Sequence, residues 1–296
     1  MKINLHVEQR KKVMALLTIT VPLFFTIIAI FRAFTQGVSL VTIGAALVAY
    51  TLTAAGLEIG YHRLFSHKSF KAKKWLESIL LILGTAGGQG PVFYWVSYHR
   101  THHRHTDEHG DPHSPHAPFK AQGKQGLLHA HFGWLLSVSI NEGTSPIRDL
   151  QKEKHIRSIN RNYLLIFVLT LIAPAIIMFP FTDGTTAAFV DLILWAGFVK
   201  VAFAQHTVWA INSLCHRFGK KSFLTRDNST NIGLISLLMW GAGWHNNHHA
   251  FPYSYHLQMK KHHLDPGRWL LEFFAALGWV WDLKSPSATQ IQSKTI

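Results

Sequence analysis

The sequence predicts an all-α membrane protein with four transmembrane helices in two hairpins and a cytoplasmic helical cap. Of the 296 residues, 48% are hydrophobic and only 15% are charged, a composition typical of multi-pass membrane proteins. Four apolar stretches are long enough to cross a bilayer, which takes about 20 residues of helix. Two short polar connectors join these stretches in pairs, whereas the remaining segments are rich in Lys and Arg.

The four predicted spans cover residues 13–31, 38–57, 163–181 and 187–204. The connectors "RAFTQG" and "TDGTT" are short enough for a tight turn, so each pair of spans is predicted to form a helical hairpin. The cap is predicted to comprise residues 58–160 and 212–285. We expect residues 1–296 to form a single integral-membrane domain, with the first span retained as an anchor because no small-residue cleavage site follows it.

The formal net charge is +14, from 29 Lys and Arg against 15 Asp and Glu. Nucleic-acid binding would explain this charge but not the four spans, so we expect no nucleic-acid partner. Cytoplasmic loops of membrane proteins carry an excess of Lys and Arg. The distribution of charge therefore predicts that both termini and the 58–160 loop are cytoplasmic.

A fifth apolar stretch, Trp75 to Val96, contains Glu77 and the glycine-rich run "GTAGGQGP". If this stretch crossed the membrane, the histidines before and after it would lie on opposite sides and could not share one site. We therefore predict a helix that lies at the membrane interface or is partly submerged in it.

Three clusters stand out among the 21 histidines: "HRLFSH", "HRTHH" and "HNNHH". In an α-helix, positions i, i+3 and i+4 lie within about 100° of arc. Each H-x-x-H-H triplet is therefore expected to direct three imidazoles at one point. The spacing of the first cluster does not suit one α-helical face, so residues 64–66 are expected to break the helix. The clusters contain His62, His67, His99, His102, His103, His245, His248 and His249.

Neutral imidazole is a general ligand for transition metals, and one ion takes at most four to six protein donors. Eight clustered histidines therefore indicate two metal ions. Cys215 is the only cysteine, which excludes an internal disulfide framework and a cysteine-based metal site. The cap is thus predicted to hold a histidine-rich dimetal site.

The three boxes, in this order after paired spans, resemble those of membrane fatty acyl desaturases of the stearoyl-CoA (delta-9) type, and in particular the bacterial and cyanobacterial members. The four-residue gap of the first box favours this branch over the delta-12 desaturases, whose first box has a three-residue gap. The likeness covers residues 38–283 and continues through "DPH" at 111–113, "HFGWLL" at 131–136, "NSLCH" at 212–216 and "WHNNHHAFPYSY" at 244–255.

The resemblance adds residues that spacing does not reveal. In the family, a ninth histidine follows an N-S-x-x-H motif and completes the dimetal site, while the Asn of this motif holds a metal-bound water. The corresponding residues are His216 and Asn212.

The resemblance also implies a kinked tunnel for the acyl chain, with Gln89, Trp95 and Trp209 as substrate-binding residues. Val208 precedes Trp209 where the family usually has Thr. This departure leaves the details of the kink open.

Metal-bound histidines commonly donate their second ring N–H to a carboxylate. Glu58 lies four residues before His62 and is a candidate for this role, as are Asp111 and Asp227. The remaining histidines are expected to have surface or packing roles, although His113 in "DPH" is a possible neighbour of a ligand together with Asp111.

The activity implied by the resemblance is O2-dependent formation of a cis double bond, at delta-9, in a saturated acyl chain. Its cofactors would be two Fe ions, because Zn²⁺ has no redox chemistry, and O2 would be the co-substrate. The chain carries no flavin- or nicotinamide-binding fingerprint, so an external electron donor is expected, either ferredoxin or a b-type cytochrome.

The acyl carrier is either a membrane lipid or CoA. Animal acyl-CoA desaturases have an Arg-Asp pair before the second box and an Arg-Lys pair after "GWLL". This chain has Ser97-Tyr98 and Ser137-Val138 at those positions. The missing cations favour an acyl-lipid substrate.

Two alternatives remain open. A related di-iron membrane hydroxylase, ketolase or alkane monooxygenase would share the metal and much of the chemistry. A metal transporter would place its ligands within the spans near the membrane midplane, whereas the histidine boxes lie at the ends of the predicted spans.

Overall fold

The structure is a computed structural model that describes residues 5–116, 123–137 and 145–296. Helices make up nearly all of its regular structure, which confirms the all-α class. Within the described residues, the strands are β1 (Lys71–Ala72) and β2 (Val280–Trp281), which pair antiparallel with Lys71 opposite Trp281. Of the residues singled out in the sequence, Val138 lies outside the described part.

The helices follow one another along the chain, with short connections in the membrane hairpins and longer ones in the cap. The second, fifth and ninth contain π-helical turns, at Gly56–Ser66, His129–Gly133 and Ile193–Val199. The bounds are α1 Leu5–Gln36, α2 Leu40–Ser66, α3 Lys74–Thr85, α4 Val92–His105, α5 Lys124–Ser137, α6 Arg148–Gln151, α7 Lys154–Arg161, α8 Tyr163–Met178, α9 Thr186–Leu214, α10 Gly233–Leu238, α11 His245–Ala250, α12 Pro266–Ala276 and α13 Ala288–Lys294.

Four helices are long and apolar enough to cross a membrane, as the sequence predicts: Glu8–Gln36 of α1, α2, Tyr163–Phe181 of α8 and its following turn, and α9. Three of them match or extend beyond the predicted spans at both ends, whereas α2 begins at Leu40, two residues after the predicted start, and continues nine residues past the predicted end at residue 57. Ser39 and Thr185 cap the N-termini of α2 and α9 by accepting backbone N–H bonds. Large apolar side chains cover their outer surfaces, for example Phe34 with 87% exposure, as expected for contact with lipid. The chain is therefore an integral membrane protein.

The prediction of one interfacial helix over residues 75–96 is wrong. This stretch forms α3, a turn at residues 86–91 and the start of α4. Gly88 adopts φ +63° in the turn, a backbone conformation that glycine adopts without a steric penalty, and Pro91 directly precedes α4. The neighbouring α9 supports the turn, since Lys200 Nζ donates to Ala86 O at 2.9 Å and Gln205 Nε2 donates to Gly88 O at 3.1 Å.

The predicted helix break at residues 64–66 is also wrong, because α2 continues to Ser66 as a π-helix. The π-helical hydrogen bonding extends to the last turn, where the N–H of His67 donates to the carbonyl of His62, five positions earlier, at 3.2 Å. Hydrogen bonding from i+5 to i brings residues five apart onto one face. The H-x-x-x-x-H spacing therefore fits a single continuous helix.

A buried arginine joins α2 to the C-terminal part of the cap. The guanidinium of Arg63 donates to Glu58 at 2.9 Å and to both carboxylate oxygens of Asp265 at 2.9 and 3.1 Å. It also donates to the backbone carbonyls of Trp240 and Tyr255. Since Arg63 and both carboxylates are at most 3% exposed, this network fixes the π-helical end of α2 against the segment that follows α11.

Candidate metal centre

The nine histidines predicted as ligands lie in two compact groups between α2, α4, α9 and α11. Within each group the candidate ligand atoms lie within 4.8 Å of one another. The first histidine group consists of His62, His67, His99, His103 and His248, and the second consists of His102, His216, His245 and His249.

Each H-x-x-H-H triplet is divided between the two groups, so the expectation that a triplet points at one place is wrong. On α4, His99 and His103 belong to the first group while His102 belongs to the second. On α11, His248 belongs to the first group, whereas His245 and His249 belong to the second. In a helix the i+3 and i+4 positions diverge by about 100°, so one turn can serve two neighbouring sites.

Two of the predicted carboxylates hold histidine ligands on the side away from the group centres. Glu58 Oε2 lies 2.8 Å from Nδ1 of His62, one helical turn along α2. Both carboxylate oxygens of Asp111 lie 3.0 Å from Nδ1 of His102. Such contacts fix the ring orientation and leave Nε2 directed toward the group.

Two further carboxylates act in the same way in the second group. Asp227 Oδ2 lies 3.0 Å from Nδ1 of His249. Sequence reasoning missed Asp107, whose Oδ2 lies 3.1 Å from Nδ1 of His216. Although burial opposes ionisation, the hydrogen bond from His216 holds the pKa of Asp107 well below its usual range. Asp107 and His216 are far apart in the chain, so no spacing signal links them.

The donor set fits metal cations. A neutral imidazole has one N–H, and the four carboxylates accept it from Nδ1 of the histidines they contact. The Nε2 lone pairs then converge: Nε2 of His62 lies 3.0 Å from Nε2 of His248, and Nε2 of His216 lies 3.0 Å from Nε2 of His245. Nε2 of His102 is buried without a hydrogen-bond partner among the described residues. A cation among these lone pairs would remove their repulsion, so the groups are compatible with a metal centre.

Burial keeps most of the histidines in the neutral form that binds metals. It lowers the pKa values well below 6.5, and neighbouring imidazoles act in the same direction; the residues concerned are His67, His99, His103, His245 and His248. Burial also lowers the pKa of His249, to about 4, against the opposing effect of Asp227. At His102, burial is outweighed by Asp111, which raises the pKa.

His113 lies beside the second group rather than in it. Its ring centroid is 4.4 Å from that of His102, and its Nδ1 is 3.8 Å from Asp111 Oδ1. Together these three residues form a third cluster of possible ligand atoms. Since Asp111 already accepts the His102 N–H, we interpret this cluster as support for His102. That His113 binds no iron stays a prediction.

Two narrow cavities adjoin the histidines, with volumes of about 40 and 30 Å³. The first is lined mainly by apolar side chains and by histidines of both groups. Four residues line both cavities, so the two cavities are neighbours beside the candidate metal centre: Trp95, His99, Val208 and Asn212. The Trp95 ring stacks on His99, with centroids 4.9 Å apart and an interplanar angle of 17°.

The predicted substrate-binding residues differ in their placement. Trp95 lines both cavities, and Gln89 lines the second. Trp209 instead packs its ring against His131 and His206, while the neighbouring Val208 lines the cavities. The second cavity also contains buried nitrogen atoms without a hydrogen-bond partner in the described part of the chain: Gln89 Nε2, His113 Nδ1 and Trp134 Nε1.

Four membrane-length helices and nine histidines in two groups beside a partly apolar cavity are features of histidine-rich integral membrane proteins. Comparison with known proteins specifies this class. The profile of the fatty acid desaturase family matches residues 37–284, and the chain belongs to that family. It is therefore an oxidoreductase that acts on fatty acyl chains.

Relatives in the family have different names. The chain is 36% identical to a hex-5-enoyl-[acyl-carrier protein] acetylenase of Moorena producens, over 93% of this chain and 87% of that protein. It is 34% identical to an sn-1 stearoyl-lipid 9-desaturase of Synechocystis, over 93% and 83%. It is 35% identical to an acyl-CoA 5-desaturase of Anemone leveillei, over 78% and 68%. The resemblance inferred from the histidine boxes is thereby confirmed, while the names differ in acyl carrier and bond position.

Proposed function

We propose that this protein is an O2-dependent desaturase that introduces a cis double bond, at delta-9, into a saturated acyl chain. Two Fe ions would be held by the nine histidines of the two groups, and Asn212 would hold a metal-bound water. The observation that carries the proposal is that histidines of both groups line the cavities. His62, His99, His102 and His245 all line the first cavity.

When bound, the two irons would supply the oxidising power that side chains lack for attack on an unactivated methylene. The residues of the chain supply position. Leu57, Val208, Ile211 and Met239 form apolar walls on the first cavity, which favour burial of a hydrocarbon chain and exclude water. Since saturated methylenes are chemically alike, the fixed walls select which C–C bond lies beside the histidines.

Trp95 is positioned to fix the path of the acyl chain beside the histidines. Its ring stacks on His99 and also packs edge-on against Tyr61, with centroids 5.7 Å apart. Both partners are themselves packed in the structure, so the indole is held between the two cavities. We infer that Trp95 and Val208 direct the acyl chain, and that Gln89 lines the chain's path beyond them.

We propose a membrane lipid as the acyl carrier. Ser97 and Tyr98 replace the Arg-Asp pair of the animal acyl-CoA desaturases, and the ring of Tyr98 packs near Tyr94 and Trp134. Ser97 donates to the Ser145 carbonyl at 2.8 Å. These positions are engaged in internal packing rather than in holding a phosphate. The name of the Synechocystis relative supports a lipid, whereas those of the other two relatives point to acyl-carrier protein and CoA.

We further propose that both termini and the histidine groups face the cytoplasm. The distribution of Lys and Arg supports this orientation. It would give an external electron donor, ferredoxin or a b-type cytochrome, access to the cap. Of the alternatives, a hydroxylase or ketolase remains distinguishable by its product, and a transporter is disfavoured by membership in the desaturase family.

The first test is expression in a host that lacks the activity, followed by mass spectrometry of total fatty acids. A desaturase gives products lighter by two hydrogens, whereas a hydroxylase adds oxygen. His216→Ala is expected to abolish the product and to lower bound iron, while His262→Ala, at an exposed position outside both groups, is the matched control. A fully active His216→Ala enzyme would remove the ninth ligand from the proposal.

The second test concerns the carrier. Purified enzyme with a matched electron donor is offered stearoyl phospholipid, stearoyl-CoA and stearoyl-acyl-carrier protein in separate reactions. Turnover of the phospholipid is expected to be the most efficient. Efficient turnover of a thioester alone would contradict the lipid proposal without affecting the desaturase assignment.

A further inference from the structure

An open groove of about 690 Å³ lies on the surface of the cap, separate from the acyl cavities. Its walls come from the end of α4, the 224–227 segment and the end of α13. We call it the Arg104 groove, after one of its cationic residues. It shares no lining residue with the two narrow cavities, so the acyl chain would not need to occupy it.

The Arg104 groove reaches both histidine groups at once. His103 of the first group and His249 of the second group line it. Their rings are stacked, with centroids 4.6 Å apart and an interplanar angle of 26°. His103 and His249 are residues of intermediate exposure, in contrast to the buried His62, His102 and His245, although the side chain of His249 itself is only 2% exposed. The groove is therefore a place where a molecule in solution comes close to ligands of both groups.

The rim of the groove is cationic. Arg104, Arg226 and Lys294 are exposed residues of its lining, and none forms an ion pair with a carboxylate within the described residues. Of the two lining acids, Asp227 is engaged by His249. More exposed cations precede Arg226 in the same segment: Arg217, Lys220 and Lys221.

An apolar residue lies among these charges. Leu224 lines the groove with 64% of its surface exposed. A cationic rim around an exposed apolar side chain suits a brief protein contact, in which charge steers the encounter and apolar contact fixes the docked position.

We propose that the Arg104 groove is the docking site of an acidic one-electron carrier protein. This inference rests on the proposed function, in which O2 accepts four electrons and four protons to give two waters. Two electrons and two protons come from the two C–H bonds that are broken, and two electrons come from outside with two protons from water. Each docked carrier is oxidised by one electron, so two carriers dock in succession per double bond. Stacked His103 and His249 connect the groove to both histidine groups.

The test measures carrier binding directly. The full-length protein, loaded with zinc so that no turnover occurs, is immobilised in detergent. Soluble plant-type ferredoxin and a soluble cytochrome b5 domain are passed over it. The variant with Arg104→Glu, Arg226→Glu and Lys294→Glu is expected to weaken binding of the favoured carrier at least tenfold, and to remove most of its salt dependence. The matched control reverses three exposed cations outside the groove: Lys73→Glu, Lys152→Glu and Lys260→Glu.

Lys294 also donates to the Ala250 carbonyl, so the double variant with only Arg104→Glu and Arg226→Glu guards against local unfolding. In the iron-loaded enzyme, the double variant is expected to raise KM for the carrier while turnover with a chemical reductant stays unchanged. Unaltered carrier binding in both variants would overturn the proposal, as would a change in KM for the lipid alone, which would assign the groove to a headgroup. If no double bond forms with any reductant, the proposed function is contradicted instead. Carrier binding to the zinc-loaded protein involves no turnover, so it tests the docking site independently of that outcome.

Discussion

The rings of His62 and His67 lie 4.8 Å apart at the end of one continuous helix, although the two residues are five positions apart in the chain. The π-helical end of α2 produces this proximity, because its hydrogen bonds join residues five apart. The hydroxyl of Ser66 repeats the same spacing by donating to the Tyr61 carbonyl at 2.8 Å. Both histidines consequently enter the first histidine group from the same helix face.

This geometry predicts the effect of moving one ligand by a single position. The double substitution Ser66→His with His67→Ser creates an i, i+4 pair, which suits an α-helix but not a π-helix. Bound iron is expected to fall to the level of the His67→Ala variant, measured as iron per chain after purification. Full iron content in the double variant would show that this part of α2 is α-helical in solution.

The close approach of α2 and α3 predicts a steric effect at Gly56. A Cβ at this position would lie 2.2 Å from the backbone N of Gly84, so Gly56→Ala would force the helices apart. Overpacking of this kind costs about 1–3 kcal/mol, and we expect a lower midpoint of thermal unfolding in detergent.

Gly44 supplies the control on the same helix, because a Cβ there meets nothing within 4 Å. Gly44→Ala is expected to leave the midpoint unchanged or to raise it, since Ala favours helix over Gly by up to about 1 kcal/mol. Equal effects of the two substitutions would contradict the packing described for Gly56.

Arg63 is predicted to be essential for the stability of the cap. Arg63→Ala would leave the buried carboxylates of Glu58 and Asp265 without their cation, and breaking a buried pair in this way costs about 3–5 kcal/mol. Arg63→Lys is expected to lose less, because it keeps the charge but not the planar set of donors. Chemical unfolding of the solubilised protein measures both, with exposed Arg161→Ala as the control. An unfolding midpoint for Arg63→Ala equal to that of the control would refute this role.

Asp107 is predicted to control metal affinity in the second group. Asp107→Asn removes the charge that holds His216, and loss of such a carboxylate commonly weakens metal binding about 10–100-fold. In a titration with a chelator, about half of the bound iron is expected to be removed at a lower chelator concentration than from the unsubstituted protein. Glu108→Gln, at the exposed neighbouring position, is the control. Identical chelator curves for Asp107→Asn and the control would exclude this role.

The sequence by itself determined the class of protein and indicated which histidines to expect in the candidate metal centre. Runs of apolar residues predict membrane helices because the bilayer imposes a minimum length that can be counted along one chain. The boxes and the "NSLCH" likeness selected the nine histidines that the structure brings together, and Glu58 was predicted from its helical spacing to His62.

The tertiary structure decided how those residues are shared. Assignment of His102 and His248 to opposite groups depends on the relative placement of α4 and α11, which no local spacing encodes. The contact of Asp107 with His216 likewise arises only when distant segments meet. The π-helical hydrogen bonds of α2 form where this helix packs against α3. A prediction from periodicity assumes one type of helix that packs against one neighbouring element. In the folded chain, each helix contacts several elements at once.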